Sequence, residues 1–237
     1  MHGLMMDTQL SVQLILERAK QFFPKKEIVT RQANGNHRYT YADFYQRVLR
    51  LASLLQQLGI KPGDRVGTFA WNNYRHLELY FAIPCIGAVL HTINIRLVVD
   101  QLTYIINHAE DQALFFDPSL APLVKQFAPH LETVKNFIVM DENPIEELNA
   151  QSYEKLISEQ PTDFVLPKIT DENMAAGLCY TSGTTGHPKG VLYSHRSIYL
   201  HSMAICMADM MGLCERDRTF PVVPMFHAFS RSNASFS

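Results

Sequence analysis

Tyr180-Thr181-Ser182-Gly183-Thr184-Thr185-Gly186-His187-Pro188-Lys189-Gly190 crowds four aliphatic hydroxyls, three glycines and one cation into a single turn of chain. Ala175 to Thr181, just before it, is small and apolar enough for a buried strand, and Val191 to Tyr193 can form a second strand after it. Glycines at 183, 186 and 190 permit positive φ and let backbone N–H groups gather around an anion with no Cβ in the way. The hydroxyls of Thr181, Ser182, Thr184 and Thr185 add uncharged donors. Lys189 adds a mobile point charge, which suits a polyphosphate whose oxygens move during reaction. Such a pair at 4 Å gains about 4 kcal/mol at an effective dielectric near 20, before desolvation is subtracted. A flexible Ser/Thr/Gly surface turn is the bland alternative. The ordered placement of Lys189 behind His187-Pro188, with a strand on each side, argues against it.

Two other phosphate loops fit worse. A Walker A loop ends Gly-Lys-Ser/Thr, whereas Lys189 lies between Pro188 and Gly190. The dinucleotide fingerprint G-x-G-x-x-G fails because the glycines are spaced by three and four.

Outward from this loop the chain alternates. Ser194 reads as the N-cap of a helix running to Met211 and closed by Gly212, with Tyr199, Met203, Cys206 and Met210 on one face. Upstream, strands are expected at 65–70, 89–92, 113–117 and 136–140, and helices at 74–86, at 120–127 and from a cap at Asp100 to Ala109. This order predicts an α/β fold of parallel βαβ units with flanking helices. Near the N-terminus, Val12, Ile15, Leu16, Ala19, Phe22 and Phe23 share a helical face that Pro24 ends. Asn34-Gly35 between 27–31 and 37–40 is a hairpin signal. Thr40 with Asp43 forms a capping box, Phe44, Val48, Leu51, Leu55 and Leu58 a buried stripe, and Gly59 a C′ residue. The polar stretch 141–150 and the extended 161–167 read as loops, so 141–170 is a possible connection between subdomains.

The 237 residues carry 21 basic and 23 acidic side chains with no basic block, which argues against nucleic acid as a partner. Cys85, Cys179, Cys206 and Cys214 lack C-x-x-C spacing and read as reduced thiols, with no metal-ligand spacing to histidine. No signal peptide is evident. The longest apolar run, Leu79 to Leu90, is too short for a transmembrane segment, and taken as one run it reads as a buried core helix. A cytoplasmic location is expected.

The loop resembles the signature of the AMP-forming acyl-CoA synthetase, luciferase and adenylation superfamily. Tyr39-Thr40-Tyr41, Pro62-Gly63-Asp64-Arg65-Val66, Trp71-Asn72, Ala88-Val89, His91-Thr92-Ile93-Asn94 and Gln101-Leu102-Thr103-Tyr104-Ile105 are similar to segments of bacterial medium- and long-chain fatty acid–CoA ligases. The resemblance implies that ATP and a carboxylic acid give an acyl-adenylate and pyrophosphate, and that CoA then displaces AMP, with Mg2+ as companion ion. It assigns Thr181, Ser182, Gly183, Thr184, Thr185, Gly186 and Lys189 to the ATP phosphates. It also matches Pro224-Met225-Phe226-His227 to a motif whose histidine, His227, borders the carboxylate and acyl pocket.

Members of this family are about twice as long. The adenine-stacking Tyr-Gly-x-Thr-Glu segment, the ribose aspartate, the hinge and the C-terminal domain with its lysine have no counterpart in residues 1–237. Ile95 stands where many relatives have Pro, and Phe229 to Ser237 is Ser-rich where they continue apolar. The expectation is therefore an incomplete N-terminal domain of a fatty acid–CoA ligase over 1–237, binding nucleotide poorly and inactive or nearly so by itself, with its reading frame broken near Phe229 or its sequence cut short. The alternatives are a non-catalytic nucleotide-binding remnant and an adenylating enzyme for a non-fatty carboxylic acid. Exposed apolar surface, an uncovered sheet edge and marginal solubility should accompany this, and a separate complementing C-terminal half is a possible partner.

Overall fold

A computed structural model describes residues 3–33, 35–181 and 187–227 of the chain. Helix α1 (Val12–Phe22) buries Val12, Leu16 and Ala19 and leaves Phe22 exposed. The hairpin β1 (Glu27–Gln32) and β2 (Gly35–Thr40) follows, with Gln32 paired to Gly35; Asn34, half of its sequence signal, lies outside the described residues. Helix α2 (Tyr41–Gln57) opens on the expected capping box: Asp43 N–H donates to Thr40 Oγ1, and Thr40 N–H donates to Asp43 Oδ2. It closes in a Schellman motif. Gly59, at φ +82°, donates to Gln56 O, and Ile60 donates to Leu55 O.

The alternating part is β3 (Arg65–Phe69), α3 (Tyr74–Cys85), β4 (Val89–Thr92), α4 (Val99–Ala109), β5 (Asp111–Phe116), α5 (Ala121–Phe127), β6 (Asn136–Val139), β7 (Gln151–Ser152), α6 (Tyr153–Ser158), β8 (Ala175–Thr181), β9 (Lys189–Ser194) and α7 (His195–Cys206). The second sheet runs β7-β6-β5-β3-β4-β8-β9; every neighbouring pair is parallel except β8–β9. It is the α/β architecture read from the sequence, with an antiparallel strand on one edge. Successive strand residues feed opposite faces. Val66, Leu90, Ala113, Phe115 and Cys179 pack with α1, α2, α3, α6 and α7, while Phe69, Leu114, Phe116 and Val139 pack with α4 and α5.

Four local expectations need correction. The run Leu79–Leu90 is not one helix: α3 ends at Cys85, Gly87 turns at φ +80°, and β4 begins at Val89. Asp100 does not cap α4; Val98 occupies the N-cap with no side-chain bond, and Asp100 lies within the first turn. Helix α7 stops at Cys206, not Met211. Its buried residues are His195, Ile198 and Ile205, whereas Met203, Met207, Met210 and Met211 are half or more exposed. Helices gain most of their stability from a packed face, and beyond Cys206 no burial supports continuation.

The stretch 141–150 holds a turn of 3-10 helix at Glu146–Leu148. Just after it, β7 pairs with β6, and α6 packs on α2, burying Tyr153 completely. Many exposed large apolar side chains lie after residue 190, including Leu192, Met207, Phe220 and Val222. Among the described residues no strand pairs with the outer edge of β9. No described helix is long and apolar enough to cross a membrane.

Candidate functional site

The chain turns from β3 to α3 and β4 on one side, and from β5 to β6 on the other, so the sheet's switch point lies between β3 and β5. In open α/β sheets ligands bind beyond the carboxyl ends of the strands near such a point. Three of the residues singled out in the sequence lie at this edge. Thr181 ends β8 and pairs across the hairpin with Lys189, the first residue of β9. Thr181 Oγ1 is 3.5 Å from Lys189 O. Both side chains are exposed, and Lys189 forms no ion pair among the described residues. Ser182, Gly183, Thr184, Thr185 and Gly186 lie outside the described residues.

Gly190 differs from the expected role. Its φ is not positive. A Cβ there would come within 3.1 Å of Leu178 Cδ1 and 3.3 Å of Tyr180 Cζ. Glycine is present so that the Tyr180 ring can lie against the opposing strand, a demand for space rather than for a left-handed backbone.

His227 reaches the same edge by a different route. Asn72, just after β3, accepts from Met225 N–H at 2.7 Å through Oδ1, and its Nδ2 donates to Pro221 O at 3.1 Å and Val223 O at 3.2 Å. The Tyr80 hydroxyl donates to Met225 O. Phe226 is buried with Phe69, Ile93 and Ile95, at or just beyond the ends of β3 and β4. His227 follows, exposed, its N–H donating to Pro224 O.

Beneath the hairpin lies a group that the sequence did not disclose. Tyr104 and His108, four apart on α4, stack at 5.4 Å. The Tyr180 hydroxyl is 2.6 Å from His108 Nδ1, and the His187 ring stacks on Tyr104 at 4.4 Å and 23°. Burial, with Asp111 and Tyr104 nearby, pushes Tyr180 up to about 12, so it is a neutral phenol at pH 7. Deeper, His91 Nδ1 and Asp111 Oδ2 are 2.7 Å apart and fully buried. Burial raises the Asp111 carboxyl, and His91 opposes the rise.

Chemically, the edge offers hydroxyl, backbone and ammonium donors to an anion. No group of three or more His, Cys, Asp or Glu among the described residues could hold a metal.

Comparison with known proteins decides the family. The family model for AMP-binding enzymes matches residues 16–236. The chain belongs to the AMP-binding enzyme family. A long-chain-fatty-acid–CoA ligase of Thermus thermophilus is 50% identical over 224 residues, covering 94% of this chain and 40% of that protein. A medium-chain-fatty-acid–CoA ligase of Ectopseudomonas oleovorans is 44% identical, with 96% and 42% covered. A 3-methylmercaptopropionyl-CoA ligase of Ruegeria lacuscaerulensis is 46% identical, with 96% and 43% covered. The fold matches an anthranilate CoA ligase crystallised with anthranoyl-AMP at a TM-score of 0.85 and 23% identity, covering all of this chain and 46% of that one. It also matches the N-terminal domain of FACL13 from Mycobacterium tuberculosis at 0.79 and 25%, covering 94% and 55%. The chain thus spans about 40% of the length of these curated relatives.

Proposed function

We propose that this AMP-binding chain supplies the polyphosphate site of an ATP-dependent acid–CoA ligase whose acid is a fatty acid. The observation that carries the reading is Lys189, exposed and without an ion pair among the described residues. It faces Thr181 across the mouth of a glycine-hydroxyl loop at the carboxyl edge of a parallel sheet. A lone cation there has no structural debt to a carboxylate and is available to an anion. Thr181, Ser182, Thr184 and Thr185 add hydroxyl donors, and Gly183 and Gly186 free backbone N–H groups for the β- and γ-phosphates.

In the proposed first step a carboxylate oxygen attacks the α-phosphorus and the bond to the bridging β-oxygen breaks. Negative charge then builds on the departing pyrophosphate, where Lys189 is placed to stabilise it. In the second step the CoA sulfur attacks the acyl carbon, AMP leaves, and the thiol gives up its proton. His227, held by the Asn72 and Phe226 anchors, borders the carboxylate in this scheme. Lys189 is a poor neighbour for a bare cation and no described residue is assigned to Mg2+, so the ion is proposed to arrive on ATP.

A chain spanning about 40% of its relatives' length is proposed to need a portion equivalent to the remainder for turnover, in the same polypeptide or a separate one. ATP–pyrophosphate exchange with octanoate and palmitate tests this, for the chain alone and with the remaining portion of the Thermus thermophilus relative added. Exchange only on mixing is expected; exchange by the chain alone would refute its dependence on the rest. A shorter, sulfur-containing acid is the second reading, favoured by the 46% identity to the 3-methylmercaptopropionyl-CoA ligase. Including 3-methylmercaptopropionate in the same assay separates the two.

A further inference from the structure

The two limbs of the loop emerge from one hairpin, joined at their base by the Thr181–Lys189 pair. Both limbs also touch α4. On the β8 side the Tyr180 hydroxyl meets His108 Nδ1 at 2.6 Å. On the β9 side the His187 ring lies on Tyr104 at 4.4 Å, nearly parallel. Tyr104 and His108 are neighbours on one helical face and stack on each other. Helix α4 therefore holds the entrance and the exit of the loop at once.

The link from His187 to Lys189 is short and stiff. Pro188 fixes its own φ near −65° and biases the residue before it toward extended backbone. Seating the His187 ring thus constrains where Lys189 starts, while Gly190 leaves room for Tyr180 to brace the same strand from inside. An exposed lysine at a hairpin mouth would otherwise have to be ordered by each incoming anion, at a cost in entropy.

We propose that Tyr104 and His187 are positioning residues: their stack, with the Tyr180–His108 bond, forms a clamp that presents Lys189 to the polyphosphate. The inference rests on the polyphosphate reading, and its test must separate the two. The experiment is calorimetric titration of the 237-residue chain with ATP, for wild type, Tyr104→Ala, Tyr104→Phe, His187→Ala, the Tyr104→Ala/His187→Ala double variant, and Lys189→Ala.

Tyr104→Ala and His187→Ala should each weaken ATP binding about three- to tenfold, the size of one aromatic stack. The double variant should be no worse than the weaker-binding single, because either change removes the same contact. Tyr104→Phe, which keeps the ring, should bind within about twofold of wild type. His187 is exposed, so His187→Ala decides alone if Tyr104→Ala fails to fold. Unchanged binding by His187→Ala while Lys189→Ala binds far more weakly would overturn the clamp and leave the polyphosphate reading standing. Additive losses in the double variant would also overturn it. Equal binding by wild type and Lys189→Ala, or none by wild type, would sink the polyphosphate reading and the clamp together.

Discussion

Replacing Arg47 by Met should be among the most damaging single changes distant from the loop. Glu78 is fully buried on α3 and its two oxygens receive four donors: Oε1 from Arg47 Nε at 2.7 Å and Tyr39 OH at 3.1 Å, Oε2 from Tyr153 OH at 2.7 Å and Arg47 Nη2 at 3.1 Å. Arg47 also reaches Glu154 at 2.9 and 3.1 Å, where Arg75 and the Tyr74 hydroxyl converge. The network joins α2, α3, α6 and the hairpin. Burial pushes the Glu78 carboxyl up and Arg47 opposes the rise, so without Arg47 the carboxylate is left buried among phenols. Breaking a buried pair from one side costs about 3–5 kcal/mol. For a chain of this size that corresponds to a fall in Tm of roughly 6–20 °C. Urea denaturation followed by far-ultraviolet circular dichroism measures it directly. The Arg47→Met/Glu78→Gln double variant should recover part of the loss, because it removes the stranded charge. A single variant within about 1 kcal/mol of wild type would mean that Glu78 does not depend on Arg47 for its place in the core.

Two further outcomes follow from the geometry. His76, buried between Trp71 O and Thr68 Oγ1, is lowered by burial from the usual 6.5 to about 4. The unfolded chain therefore binds the extra proton first, and stability present above pH 6.5 should decline toward pH 4 by about 3 kcal/mol. His76→Gln should flatten that part of a pH series of urea titrations, and an unaltered slope would exclude His76 as the source. Asn72→Ala should release residues 221–225, raising hydrogen exchange at the Met225 amide at least about tenfold. Unchanged protection would mean that Phe226 holds the segment without help.

What the sequence disclosed was what is local. The capping box of Thr40 and Asp43, the Schellman glycine at 59 and the Ser194 cap are written within a few residues, and all three form. The strand Ala175–Thr181 was likewise legible from its small apolar residues. What it concealed depends on distant partners. Strand β7 is two residues long and exists through pairing with β6, and Tyr153 gives no periodic signal of its complete burial because α6 is a single short helix after a polar stretch. Helix α7 reads five residues too long because an apolar stripe does not reveal whether anything covers it. At the site, Lys189 and Thr181 were visible as a motif, whereas Tyr104 and His108 lie over seventy residues from the loop. Their spacing of four on α4 was the one available hint, and such pairs are common on helices.

The ribbon ending at Lys189 is proposed to hold a polyphosphate. Calorimetric titration of inorganic tripolyphosphate into wild type and Lys189→Ala tests it most directly, without requiring an acid, CoA or turnover. Wild type should bind saturably, and removing the ammonium group should weaken binding about 10- to 150-fold, the worth of one hydrogen bond to a charged group. Equal affinity in the two proteins would contradict it.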